Sequence, residues 1–184
     1  FKKRFIEKVA ALPTGDPSAP GTIIGPLINA RQVAALDDKV TAAVAAGAKA
    51  VLRGEPDGNI FPPVVLENVD RNSPIAHDEL FGPVIIVMEF DDDQEAIDIA
   101  NDTDFGLSGA VHTRDTARGV RIAKKIQSGM IHVNDATIAD EPIVPFGGEK
   151  QSGVGRLNGH SSIDELTSLK WISVNHGRRN YPYQ

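Results

Sequence analysis

The chain has 184 residues, no cysteine and a formal net charge of -6 at pH 7, and 41% of its residues are apolar. This length and composition suit a well-filled globular core and exclude disorder as the main state. The acidic balance and the 5% of aromatic residues argue against a nucleic-acid partner, which would require a basic face.

The absence of cysteine excludes disulfides, thiolate-bound zinc, iron–sulfur clusters and any cysteine nucleophile within this chain. The five histidines lack the i, i+4 spacing of a helical metal pair, so we expect no metal site. No apolar stretch approaches the ~20 residues of a membrane span, and the first residues lack the apolar core of a signal peptide. We therefore expect a cytoplasmic protein with no membrane partner.

The first predicted element is a helix whose apolar pattern already includes the first residue. Phe1, Phe5, Val9 and Leu12 recur at helical spacing, and charged residues fill most of the positions between them. Neither an initiating methionine nor a capping residue precedes this pattern. The sequence therefore predicts that the chain is a fragment of a longer protein.

A second helix is predicted after a turn-rich segment at 13–25. Asn29 followed three residues later by Gln32 fits a variant capping box, in which each side chain bonds the other residue's backbone amide. An apolar stripe then runs towards Gly47, where a glycine ends the helix. The stripe consists of Val33, Leu36, Val40 and Val44.

The rest of the chain alternates between strands and helices. We predict short strands at 50–52 and 64–66, and a central strand covered on both faces at 84–88, which is continuously apolar. Then follow a helix at 93–101, a strand at 109–112, a helix at 116–127 closed by Gly129, and a strand at 130–134. Such alternation is typical of an α/β fold with a mostly parallel sheet between helices. A last strand at 171–174 is expected to pair with another chain.

The glycine-rich stretch 146–156 carries none of the common phosphate-binding motifs. Gly153, Gly155 and Gly159 do not fit a dinucleotide fingerprint, because the third glycine comes one place too late and no buried strand directly precedes them. A P-loop is absent because Gln151 follows Lys150. From the residues alone, the prediction stops at an α/β protein with a glycine-rich loop.

Residues 78–84, Asp-Glu-Leu-Phe-Gly-Pro-Val, resemble the Glu-x-Phe-Gly-Pro motif of the NAD(P)-dependent aldehyde dehydrogenase superfamily. Segments 25–29, 105–111 and 145–156 resemble further motifs of that family, in family order. The resemblance implies a three-layer α/β fold with a mostly parallel sheet flanked by helices. It also implies that residues 1–169 are part of the catalytic domain, without the nucleophile segment, and that 170–184 are an oligomerisation strand and tail.

The resemblance assigns roles to four side chains. Glu79 matches the glutamate that binds the nicotinamide ribose, and Phe81 matches the aromatic residue beside the nicotinamide, although without the resemblance it reads as core. Gln32 aligns with a glutamine near the adenine-side ribose, a role for which helix capping is an equal explanation. Phe146 matches a substrate-tunnel position, and the preceding loop, 134–144, resembles that of benzaldehyde and vanillin dehydrogenases.

In this family a cysteine thiolate attacks the aldehyde, and NAD or NADP accepts the hydride. The resemblance places the nucleophile, the general base and the Rossmann-type cofactor domain upstream of Phe1, so the chain holds no catalytic residue and should be inactive alone. The resemblance implies that the intact enzyme is a homo-oligomer that oxidises aldehydes. The resemblance of loop 134–144 implies that these aldehydes are aromatic. The alternative is a non-enzymatic binding or assembly module that reuses this half of the fold. A methionine codon shortly before Phe1 would favour the module, and an upstream Gly-Gln-x-Cys segment would favour the enzyme.

Overall fold

The computed structural model describes residues 1–182, and the chain divides into two compact units, Phe1–Asp104 and a second unit that begins at Phe105. The last two residues of the predicted tail, 183–184, lie outside the described residues. The division of the chain into 1–169 and 170–184 stays a prediction.

The first unit contains four helices and one three-stranded sheet. In chain order its elements are α1 (Lys2–Ala10), α2 (Ala30–Ala45), β1 (Lys49–Leu52), β2 (Val64–Glu67), α3 (Pro74–His77), β3 (Val84–Val87) and α4 (Asp93–Asn101). The strand order is β1-β2-β3, with β2 antiparallel to β1 and parallel to β3. The Val64–Val84 pair fixes the parallel register that continues to Glu67–Val87.

The centre of this sheet is β2, which corrects the prediction for 84–88. All four residues of β2 are buried, whereas those of β3 are half-buried. A middle strand is flanked by a neighbour on each side, and β3 has a partner on one side only among the described residues. A continuous apolar run indicates burial but does not reveal which strand lies in the middle.

The core of the first unit lies between the sheet and α2. Leu36 and Val40 on α2 are at most 1% exposed, as are Phe61 and the residues Val64 and Leu66 of β2. The helical spacing of the apolar stripe explains why α2 turns this face to the sheet. The last member of the predicted stripe, Val44, is exposed, and Ala43 is buried in its place.

Within its described residues, 105–182, the second unit contains two helices and two pairs of strands. In chain order its elements are β4 (Phe105–Gly106), β5 (Ser108–Val111), α5 (Thr116–Ala123), β6 (Met130–Val133), β7 (Glu149–Lys150) and α6 (Gly159–Leu166). β5 and β6 are parallel, and β4 and β7 form a two-residue antiparallel pair. The α/β prediction is confirmed.

The second unit brings backbone segments close together at glycines. A Cβ placed on Gly129 would lie 1.7 Å from the carbonyl oxygen of Gly147, and one on Gly106 would lie 2.4 Å from the carbonyl oxygen of Gln127. The amide of Gly129 donates to the carbonyl of Gly106 at 3.0 Å. Larger residues would therefore force these segments apart.

Most of the predicted elements are present. α4 has the predicted bounds, and α1, α2, β1, β2, β5 and β6 differ from prediction by a few residues at most. α5 ends at Ala123 instead of 127, because shorter-range bonds replace the α-helical ladder there: the amide of Lys125 donates to Ile122, and that of Ile126 to Ala123. The short helix α3 and the helix α6 were not predicted.

The predicted final strand at 171–174 forms no ladder among the described residues, and Trp171 is 92% exposed. Its pairing with another chain stays a prediction. None of the helices within residues 1–182 is long and apolar enough to cross a membrane.

Candidate functional site

The Glu-Leu-Phe-Gly-Pro turn lies between α3 and β3, where the chain enters the sheet. The amide of Asp78 donates to the carbonyl of Pro74 at 2.9 Å and closes α3. The amide of Val64, at the start of β2, donates to the carbonyl of Pro83 at 2.9 Å. The turn is therefore fixed at both ends to regular elements of the first unit.

Phe81 has a left-handed backbone, with φ at 46°. A bulky residue rarely adopts this region, and holding it there costs on the order of 1–3 kcal/mol. Its ring is 73% exposed. The surroundings therefore hold a strained backbone that presents an aromatic ring at the surface, and the interpretation of Phe81 as a core residue is wrong.

Glu79 precedes this ring by two positions and is exposed. Its carboxylate has no hydrogen-bond or ion-pair partner within residues 1–182. An ionised carboxylate accepts hydrogen bonds through two oxygens and can bind two neighbouring hydroxyls at once. The turn thus offers an apolar ring and an uncommitted acceptor group.

Gln32 lies at the same turn, and its side chain corrects the predicted capping box. The Oδ1 atom of Asn29 accepts from the backbone amide of Gln32 at 2.9 Å, so Asn29 caps α2 as predicted. The Gln32 side chain does not return to Asn29. Its Nε2 atom donates to the carbonyl of Leu80 at 3.0 Å, because the turn offers an acceptor within reach of this half-buried amide.

Two further contacts join α2 to the turn. A Cβ on Gly82 would lie 2.3 Å from Cδ2 of Leu36, so only glycine allows this approach. Lys39 forms an ion pair with Asp78. Neither Leu36 nor Lys39 was predicted to be part of the site, since a core position and a surface charge carry no sequence signal for this role.

In the second unit, the loop 134–144 leaves the end of β6. Asn134 is left-handed, with φ at 63°, and its Oδ1 atom accepts from the amide of Thr113 at 2.8 Å. Ser108 on β5 donates its hydroxyl hydrogen to the carbonyl of Thr137 at 2.6 Å. The first residues of the loop are therefore tied to the strands beneath them.

The far end of this loop is held by a backbone bridge. The amide of Phe146 donates to the carbonyl of Leu157 at 2.9 Å, and the reverse bond measures 2.8 Å. Arg156 donates to the carbonyl of Gly148 at 2.8 Å and forms an ion pair with Glu149. Phe146 is half-buried. These contacts give the arginine and the glycines of segment 145–156 a structural role, which is to close the far end of the loop.

Between these two ends the loop exposes apolar side chains. Ile138 is 88% exposed and Ile143 is 78% exposed. The loop therefore offers apolar side chains to the surroundings between its two tied ends. Within residues 1–182, no three His, Asp or Glu side chains are grouped so that they could hold a metal ion.

The structure therefore brings Glu79, Phe81 and Gln32 to one turn of the first unit, and it places Phe146 at the end of the apolar loop in the second.

Comparisons with known proteins agree with these motifs. The model of the aldehyde dehydrogenase family matches residues 1–172. The curated benzaldehyde dehydrogenase YfmT of Bacillus subtilis is 56% identical over 183 residues, which are 100% of this chain and 38% of that protein. The chain thus spans well under half the length of this relative.

Two solved structures are similar over nearly the whole chain. A salicylaldehyde dehydrogenase from Pseudomonas putida G7, complexed with salicylaldehyde, superimposes with a TM-score of 0.93 at 36% identity and covers 99% of this chain and 38% of that one. A Mycobacterium tuberculosis aldehyde dehydrogenase complexed with NAD+ gives a TM-score of 0.86 at 36% identity, and the match covers 95% of this chain and 37% of that one.

Proposed function

This chain belongs to the aldehyde dehydrogenase family, and from that membership we propose that it is part of an enzyme that oxidises aromatic aldehydes to carboxylic acids with NAD or NADP. The predicted resemblance to the family, and to its benzaldehyde dehydrogenases, is confirmed. We keep the cytoplasm as the proposed location.

The observation that carries the proposal is the turn at 78–83. Its exposed ring at Phe81 and its free carboxylate at Glu79 suit the two parts of a nicotinamide nucleoside: a flat ring, and a ribose with two neighbouring hydroxyls. When bound, NAD or NADP supplies the hydride acceptor. We call Glu79, Phe81 and Gln32 the proposed cofactor edge. Gln32 belongs to it through its bond to Leu80.

We propose the loop 134–146 as the wall of the aldehyde pocket, with Phe146 at its end. The exposed side chains of Ile138 and Ile143, on a loop that is tied at both ends, offer an apolar surface on which an aromatic ring gains about 25 cal/mol for each Å² it buries. The names of the relatives support an aromatic substrate, since they include benzaldehyde and salicylaldehyde dehydrogenases.

The chain contains no cysteine, so we propose that the nucleophile, the general base and the main cofactor domain belong to other parts of the enzyme. We expect the purified 184-residue chain to show no turnover of benzaldehyde with either cofactor. Residues 170–184 are proposed to pair with a second copy, because Trp171 and Leu169 expose their full apolar surface.

The substrate class is tested by comparing kcat/KM of the full-length enzyme for benzaldehyde, vanillin and acetaldehyde. A pocket that buries about 100 Å² more of an aromatic ring gains roughly 2.5 kcal/mol before ordering costs, which corresponds to well over tenfold in kcat/KM. An equal or higher value for acetaldehyde would contradict the aromatic substrate.

The cofactor edge is tested with Glu79→Gln. We expect a hydride-transfer step slower by roughly tenfold, with a smaller change in cofactor affinity, because the remaining hydrogen bonds lose their charge-assisted character. Single-turnover kinetics with benzaldehyde deuterated at the aldehyde carbon isolates that step. An unchanged hydride step with a lowered melting temperature would assign Glu79 to the structure of the turn instead.

A further inference from the structure

We propose that Gln32 is a positioning residue for hydride transfer, which acts by holding the backbone of Leu80 so that Phe81 keeps its strained, outward conformation. This role rests on the proposed function of the turn and deepens it. It differs from the role that sequence resemblance gives Gln32, which is direct contact with the cofactor ribose.

The first step of the argument is the strain itself. Phe81 adopts φ 46° with its ring 73% exposed, so neither intrinsic preference nor burial of the ring keeps it there. Such a conformation persists only where neighbouring contacts determine it. The contacts that do so must act on the residues on either side, Leu80 and Gly82.

The second step is that both neighbours are fixed by α2. Gly82 lies against Leu36, with room for no side chain. The carbonyl oxygen of Leu80 accepts a side-chain hydrogen bond from Nε2 of Gln32 at 3.0 Å, and the Leu80 side chain packs against the core that includes α2. That carbonyl belongs to the peptide unit that leads into Phe81, so its orientation sets the φ of Phe81 directly.

The third step concerns which hydrogen-bonding groups of Gln32 are already used within the chain. One N–H of its half-buried side-chain amide donates to Leu80, and its backbone amide is occupied by the Asn29 cap. The second side-chain N–H and the Oε1 atom are left. That cap holds the backbone of Gln32 in the first turn of α2, so the side chain extends to the turn at 78–83 from a fixed backbone position. The bond to Leu80 therefore fixes how the side-chain amide lies at the turn, which suits a support of the ring.

The variant Gln32→Leu in the full-length enzyme removes the donor and keeps the approximate size. We expect hydride transfer to slow by about threefold to tenfold, the range that the loss of one such hydrogen bond produces. The Kd for NAD+ should change less than twofold. If Leu prevents folding, Gln32→Glu keeps the shape and replaces the donor with an acceptor, so the same measurement applies.

A matched control is Gln94→Leu. Gln94 also donates through Nε2, at 2.9 Å to Asp98, but it does so along the exposed face of α4. This control should leave the hydride step unchanged, so an effect of Gln32→Leu cannot come from the loss of a glutamine side chain on a helix in general.

The decisive measurement is the double variant with Phe81→Ala. If Gln32 acts through the ring, Gln32→Leu should have no further effect on hydride transfer once the ring is removed. Effects that multiply, or a several-fold rise in the Kd for NAD+ in both backgrounds, would overturn the positioning role and favour direct contact. If Phe81→Ala by itself leaves hydride transfer unchanged, the proposed cofactor edge fails, and the role of Gln32 fails with it.

Discussion

In residues 1–104 the buried positions are occupied by apolar side chains, chiefly those of α2 and β2, with Glu67 as the exception. Within residues 105–182 the only buried positions are three glycines, Gly106, Gly119 and Gly148. There β5 and β6 are half-buried throughout, and β7 is exposed. The first unit is therefore stabilised mainly by apolar packing, and the second depends on close approach of backbone segments. The exposed apolar residues of the second unit suit its proposed role, which is to receive a substrate and a second copy of the chain.

The largest effect that tests this comparison is expected from Gly129→Ala. The new Cβ would lie 1.7 Å from the carbonyl oxygen of Gly147, so the two backbone segments must separate. We expect a loss beyond the roughly 1–3 kcal/mol of ordinary overpacking, because backbone atoms cannot rotate away. Urea unfolding of the 184-residue chain measures this loss.

The control for that variant is Gly177→Ala, since a Cβ on Gly177 would meet nothing within 4 Å. Gly177→Ala should change the midpoint of urea unfolding very little. Equal midpoints for the two variants would show that the second unit does not depend on close backbone approach, and the comparison would fail.

The next largest effect is expected in the first unit, from Leu66→Ala. Leu66 is 0% exposed in the central strand, and truncating such a residue costs about 2–5 kcal/mol through lost burial and the cavity left behind. Leu169→Ala is the control, because Leu169 is fully exposed. A Leu169 variant as destabilised as the Leu66 variant would contradict the assignment of the core to the first unit.

The sequence predicted best what short-range chemistry determines. The bounds of Asp93–Asn101 were predicted correctly, and the structure shows a short-range cause: Asp92 caps this helix, because its Oδ1 atom accepts from the amide of Glu95. Asn29 caps α2 for the same reason. Long-range pairing was not predictable: which strand lies at the centre depends on which segments meet, and the apolar run at 84–88 did not reveal this.

The same difference between short-range and long-range structure explains which features of the candidate site could be predicted. The motif placed Glu79 and Phe81 correctly on one turn, but nothing in the sequence indicated that Phe81 would be left-handed or that Gln32 would reach Leu80. Both depend on how closely α2 approaches the turn. The buried contact of Gly82 with Leu36 sets that distance, and it exists only in the folded chain.

A smaller effect is expected from Lys2→Met in the first unit. Lys2 pairs with the buried carboxylate of Glu67 at 2.8 Å, and the other oxygen of Glu67 has no partner among the described residues. Removing Lys2 leaves the carboxylate buried and unpaired, whereas Glu67→Leu in the Lys2→Met background should recover most of the loss. We expect the loss in urea unfolding to be smaller than that of Leu66→Ala. No recovery in the double variant would contradict this account.

The same pair predicts a pH dependence. The hydrogen bond to Glu67 raises the pKa of Lys2 above its ordinary value of 10.5. Because the pKa is higher in the folded state, the stabilisation is fully present below the unfolded-state pKa and disappears as the pH rises through the folded-state pKa. The difference in stability between the unsubstituted chain and Lys2→Met should therefore shrink as the solution becomes strongly alkaline.

The smallest effects are expected at the helix caps, one in each unit. The Oδ1 atom of Asn29 accepts from the amide of Gln32 at 2.9 Å, and that of Asp115 accepts from the amide of Arg118 at 2.9 Å. Replacing either residue with alanine should cost about 1 kcal/mol, because a cap acts on its own helix whatever surrounds it. Hydrogen exchange of α2 and α5 measures both losses in the same sample. The contrary result would be that Asp115→Ala weakens α2 as strongly as α5. The two units would then unfold together. Their difference in packing would not make them separate folding units.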